Sequence, residues 1–139
     1  MHWMIEPYRR YFDFGGRSRR LEYWMFWLFY WIVMVVIAGL FGYNDNVVRG
    51  PMSISVHRSL TPLGNGISSV FWLVSVVPWL AVSVRRLHDQ NRTGWLMLLV
   101  LIPFFGWFAL LVLMLLDGTP GDNRFGPDPK GRGTVDVFR

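Results

Sequence analysis

Cysteine is absent from the 139 residues and lysine occurs once, at Lys130. The first absence excludes disulfides, thiol catalysis and iron–sulfur clusters. Charge is scarce as well: 17% of residues are Asp, Glu, Lys or Arg, against about 25% in an average soluble domain. The stretches 23–43, 59–84 and 93–116 contain none of the four. A soluble amphipathic helix carries charge on its outer face, and these segments have no charged face at all. Also missing are a G-x-S-x-G elbow or neighbouring histidine around Ser18, Ser53 or Ser83, and a P-loop lysine after Gly118-Thr119-Pro120-Gly121. Serine nucleophiles and nucleotide hydrolysis therefore lack support. His2, His57 and His88 stand on three separate segments without zinc spacing, so no metal, no cofactor and no catalytic residue is expected.

What remains is hydrophobic: 53% of the chain, with 8 Trp, 11 Phe and 5 Tyr. The expected fold is all-α, one membrane domain over 1–139. It has an interfacial helix and basic collar (1–21), membrane segments at 23–43, 67–84 and 95–116, and a Gly/Pro-rich tail (117–139). Tyr8, Tyr11 and Phe12 recur at helical spacing beside Arg9, Arg10 and Asp13 within 3–14, which suits a helix lying on the membrane. Those charges precede any apolar core, so the N-terminus does not read as a cleavable signal peptide. Segment 23–43 has 21 uncharged residues, about 31 Å as a helix and enough for a hydrocarbon core of about 30 Å. The stretch 44–66 is polar and rich in Gly, Pro, Ser and Asn, and reads as a loop. Pro78 should kink the second segment. Pro103-Phe104-Phe105-Gly106 interrupts the third, which is then either one kinked span or a re-entrant hairpin.

Orientation follows the basic residues: five precede the first segment, two lie in the first loop, three in the second connection and four in the tail. The positive-inside rule puts the N-terminus in the cytoplasm. A simple third span leaves eight basic residues inside and six outside; a hairpin leaves twelve inside and two outside.

Three polar clusters border the apolar runs. In the first, Arg17, Arg19 and Arg20 can hold phosphate or carboxylate groups by forked hydrogen bonds, with Glu22 to orient one of them. In the second, Arg85, His88, Asp89 and Arg92 share one face if the helix continues through them, and Arg85 can pair with Asp89. Arg86 adds charge, and His88 titrates near neutrality. The third, 118–129, is a chain of turns that can aim N–H groups at an anion beside Arg124. Arg17, Arg20, Glu22, Arg85, His88, Asp89 and Arg124 are expected to meet at the cytoplasmic boundary, leaving about two positive charges free.

The blocks GRSRRLEYWMF (16–26), RRLHDQNRTGW (85–95), IPFFGW (102–107) and GTPGDNRFGPDP (118–129) resemble the bacterial inner-membrane proteins grouped as domain of unknown function 805, the YhaH-like and YhaI-like proteins. The resemblance covers roughly 8–129 and implies a small multi-pass protein of the cell inner membrane with no established activity. It supplies no catalytic residue. Where that family often has Ser-Gly-Trp-Trp, this chain has Thr93-Gly94-Trp95-Leu96. Residues 134–139 lie beyond the match and are expected to be mobile.

Function then narrows to a non-enzymatic membrane module recognising anionic lipid headgroups or a protein partner through Arg17, Arg19, Arg20, Glu22, Arg85, Arg86, His88, Asp89, Arg92 and Arg124. The alternative is a subunit of an oligomeric transporter or channel, with His88 and Asp89 in proton coupling. Every ionisable residue lies at a segment's edge, which favours the module. The net charge of +5 lacks a nucleic-acid-binding motif to accompany it, so no nucleic acid is expected as a partner.

Overall fold

The structure, a computed structural model, describes residues 2–49 and 54–132, and only the backbone for 44–49 and 54–58. Ser53 and the tail end 134–139 lie outside the described residues. In chain order the elements are α1 (His2–Arg9), α2 (Arg20–Phe41), β1 (Gly42–Arg49), β2 (Ile54–Leu60), α3 (Pro62–Asp89), a 3-10 helix (Gly94–Leu101) and α4 (Phe105–Leu115). They form two compact units, Phe29–Ser75 and the residues on either side of it.

The helices of 22 and 28 residues, α2 and α3, reach about 33 and 42 Å. Both are long and apolar enough to cross a membrane, and only 11% of the most apolar window of α2 is buried within the protein. A soluble core helix would be mostly covered. Large apolar side chains such as Trp31, Val35, Leu40, Val70 and Leu73 are exposed instead.

The loop expected over 44–66 is a correction to the all-α reading. β1 and β2 pair antiparallel from Gly42↔Leu60 to Arg49↔Ile54, with an irregularity between Asn44 and Asn46. Such pairing satisfies backbone groups that a loop leaves to water. α3 also begins five residues before the expected 67. Thr61 accepts a hydrogen bond at its Oγ1 from the Gly64 N–H at 3.2 Å, and Pro62 opens the first turn, where its missing N–H costs nothing. In this unit Tyr30 stacks on Phe71 with centroids 5.4 Å apart. At the N-terminus α1 ends at Arg9, short of the expected 14.

The third apolar segment is broken in two. Its 8-residue 3-10 arm and 11-residue α4 are each about 16 Å long, half of what a span requires. Between them Phe104 takes φ 60, ψ −68, and the Phe105 N–H donates to the Pro103 carbonyl at 2.8 Å. That is a γ-turn of positive φ, a rare and strained reversal. The arms then pack: Trp107 Nε1 donates to the Val100 carbonyl at 2.8 Å, and a Cβ on Gly106 would overlap the Leu99 carbonyl. Tyr23, Phe26, Val82, Leu87, Met97, Leu110 and Met114 form the buried apolar cluster. The turn itself is apolar and open, with Phe104 and Phe105 more than 80% exposed.

Candidate functional site

The polar site is built where α3 stops. Asn91 adopts φ 57, its N–H donates to the His88 carbonyl at 2.9 Å, and the Arg92 N–H donates to the Leu87 carbonyl at 3.0 Å. These two bonds close a Schellman motif with asparagine in the left-handed position. The stop corrects the expected four-residue face: Arg85, His88 and Asp89 lie on the helix, whereas Arg92 has left it and is exposed.

Arg17 is the hub. Its Nε donates to Asp89 Oδ1 at 3.0 Å, and its two terminal nitrogens donate to the carbonyls of Gly121 and Thr119, each at 2.6 Å. One planar guanidinium with five donors can serve several acceptors at once. It thereby joins the segment before α2, the end of α3 and the tail. The other oxygen of Asp89 accepts from Arg86, and its backbone carbonyl accepts from the Thr119 N–H at 2.9 Å. A Cβ on Gly118 would overlap the Asp89 carboxylate, so the tail approaches it without a side chain. The expected Arg85–Asp89 pair is therefore replaced. Asp89 serves Arg17 and Arg86, while Arg85 faces Glu22 at 3.2 Å as an ion pair whose guanidinium forms no hydrogen bond in the protein.

The end of α4 comes to the same place. Arg86 donates to the Leu116 carbonyl, Gln90 to the Leu113 carbonyl, and Arg20 to the Leu115 carbonyl at 2.9 Å. Cations at a helix C-terminus meet its unpaired carbonyls and its negative dipole end. Both ends of the hairpin thus return to the end of α3.

Asp128, absent from the sequence-based candidates, organises the tail. Its carboxylate accepts from Arg132 Nε at 2.9 Å and from the Lys130 N–H at 2.9 Å, and lies 3.8 Å from Arg17. The hydrogen bond from Arg132 holds its carboxyl well below the usual carboxylate range. Asp117, bonded first by Lys130, is lowered also. The Pro-Asp-Pro setting in 127–129 was the available signal, since aspartate in a turn binds nearby N–H groups.

Among the described residues, Arg17, Arg85, Arg86, Glu22, Asp89 and Asp128 are the buried charges, three of each sign. The surplus of about two positive charges expected inside this cluster is not found there: Arg20 and Arg124 lie at the surface, and the Arg86 and Asp128 that join the buried set cancel each other. His88 stacks on Phe125 with centroids 3.9 Å apart and lies 3.3 Å from the Gly16 carbonyl. Arg124 is exposed, lying over Phe125 and donating to the Asn91 carbonyl at 3.2 Å.

Unbalanced positive charge sits outside, in a groove of about 510 Å³ lined by Arg19, Arg20, Lys130, Leu21, Trp24 and Leu115. Arg19 also lies over the Trp3 ring. Asp117 touches the groove's rim through Arg20 at 3.6 Å and through Lys130, leaving cations in excess. No group of three or more His, Cys, Asp or Glu residues that could hold a metal ion occurs among the described residues.

The family model described as Protein of unknown function (DUF805) matches residues 11–127. Inner membrane protein YhaH of Escherichia coli (strain K12) is 40% identical over 131 residues, covering 94% of this chain and 98% of the relative. Inner membrane protein YhaI of the same strain is 38% identical over 130 residues, covering 94% and 97%. Uncharacterized protein YiiR is 28% identical over 144 residues, covering 84% and 86%. No solved structure matches the chain. The apolar helices, the arginine-centred knot that spans most of the matched region, and these relatives lead to one conclusion: the chain belongs to the DUF805 family, a family of inner membrane proteins of unknown function.

Proposed function

We propose that the protein is a non-enzymatic, multi-pass module of the inner membrane that holds an anionic lipid headgroup in the groove of Arg19, Arg20 and Lys130. In this reading α2 and α3 cross the bilayer, and the 3-10 helix and α4 enter from the cytoplasmic face and return to it. The N-terminus and the tail are then cytoplasmic, with twelve of the fourteen basic residues on that side.

The observation that carries the reading is the sorting of charge. The buried charges are balanced in sign, and Asp89 bonds both Arg17 and Arg86, which suits a structural role. The groove has three cations against one rim carboxylate, with Leu21, Trp24 and Leu115 as an apolar wall. Phosphate headgroups sit at that depth, where tryptophan is also favoured. Proton coupling through His88 and Asp89 has less support, because Asp89 is held by Arg17 and Arg86.

The test is lipid retention. The full chain, purified in a mild non-ionic detergent and offered equal phosphatidylglycerol and phosphatidylcholine, should retain phosphatidylglycerol by native mass spectrometry. The Arg19→Gln/Lys130→Gln variant should lose the preference. Equal retention of both lipids by the unaltered chain would refute the proposal. A fluorescent reporter fused after Arg139 tests the sidedness: fluorescence restricted to periplasmic exposure would exclude the hairpin.

A further inference from the structure

Next to the headgroup groove lies a second cavity, of about 410 Å³. Trp107, Leu110, Leu111 and Met114 of α4 line it at i, i+3, i+4 and i+7, so one continuous face of that helix forms its length. The opposite wall is Tyr23, Trp24 and Trp27 of α2, and Trp79, Met97 and Val100 close the rest. No charged residue lines it.

Trp24 lines both cavities. On α4 the same face runs on from Leu111 to Leu115, one turn further, which lines the cationic groove. From its cationic end to Trp107 this slot follows almost the whole of α4, an 11-residue helix of about 16 Å. That is about half of the hydrocarbon core, the reach of one acyl chain within one leaflet. An extended protein segment is a poorer occupant, because its backbone would lie unpaired in an apolar slot. Trp107 and Leu111 are at least half exposed, so the slot opens sideways and a chain can enter from the bilayer.

We propose that the slot seats one acyl chain of the same anionic lipid whose phosphate lies on Arg19, Arg20 and Lys130, making the two cavities one binding site for a membrane phospholipid. This rests on the headgroup reading given above. The site is then selective at one end for charge and at the other for chain length, with Trp24 at the junction.

The experiment uses the full chain in non-ionic detergent with dioleoyl or dihexanoyl phosphatidylglycerol as probe, read by native mass spectrometry and by the thermal shift each lipid produces. Leu111→Trp fills the slot from its exposed side. It should reduce dioleoyl phosphatidylglycerol retention at least fivefold while leaving the shift from the dihexanoyl lipid unchanged. Arg19→Gln/Lys130→Gln should reduce both. Unchanged dioleoyl retention in Leu111→Trp, with retention lost in the charge variant, overturns the acyl seat and leaves the headgroup site standing. Loss in Leu111→Trp alone, with the charge variant unaffected, overturns the headgroup reading and the joint site together. No effect from either variant overturns both, the lipid then being bulk solvation only. If Leu111→Trp does not fold, lipids brominated on the acyl chain serve with the unaltered protein. Stronger quenching of tryptophan by the phosphatidylglycerol form than by the phosphatidylcholine form is expected, and equal quenching overturns the seat.

Discussion

In Phe29–Ser75 the chain is held largely by near neighbours. β1 pairs with β2 across a short connection, Thr61 caps the turn that follows it, and the Thr61 N–H donates to the Phe41 carbonyl at 2.9 Å. The other unit is held by ties of long reach. Arg17 bonds Asp89 across 72 positions and Gly121 across 104. Local pairings survive the loss of one member, because their neighbours stay tethered by the chain. A buried ionic hub does not, because each partner removed strands a charge.

The largest expected effect follows from that contrast. Asp89→Ala leaves Arg17 and Arg86 without their carboxylate and should cost about 3–5 kcal/mol, read as a drop in thermal midpoint in detergent and early cleavage of the tail by protease. A near-normal midpoint would mean that the knot is not what holds this unit. Gly118→Ala should cost less, about 1–3 kcal/mol as an overpacking change, because its methyl group would push the tail off Asp89. Gly66→Ala, where a Cβ meets nothing within 4 Å, is the control that separates crowding from the loss of glycine itself.

Thr61→Ala probes the other unit. Loss of its cap should cost about 1 kcal/mol and leave protease resistance of the tail unchanged; a loosened tail would mean that the knot depends on more than its own long-range bonds. Mild acid should do least. The folded Asp128 carboxyl is held well below its ordinary value by Arg132, so its contribution is in place above the unfolded value of about 4. It is given up only as pH falls through the lower folded value. Cleavage of the tail should be the same at pH 7 and pH 5 and rise below about pH 4. A rise already at pH 6 would point to another group.

The long apolar helices α2 and α3 were legible because an absence of charge over about twenty residues is the pattern of a helix made for apolar surroundings. The break at 103–106 was legible too, since Pro103 removes a donor and Gly106 admits close backbone contact. Which charges pair was not. Arg85 and Asp89 have suitable helical spacing, yet Arg17 arrives from 72 positions away and takes the carboxylate. No local pattern encodes that arrival. The strands were hidden by glycine, proline and asparagine scattered through 42–60, and the start of α3 by Gly64 and Gly66, although Thr61-Pro62 is a strong helix-opening pair. Around Asp128, Gly126, Pro127 and Pro129 signal turns and carry no sign of the long-range pairing with Arg17.

The reach of Arg17 also bears on how the protein is made. At about 5–20 residues per second of synthesis, the 104 positions separating it from Gly121 take on the order of ten seconds to appear. Throughout that interval the arginine has been made and its last acceptors have not. The knot can close only after α2, α3 and the hairpin have been synthesised. A chain truncated before Thr119 would therefore lack two of the carbonyl acceptors that Arg17 uses in the finished protein.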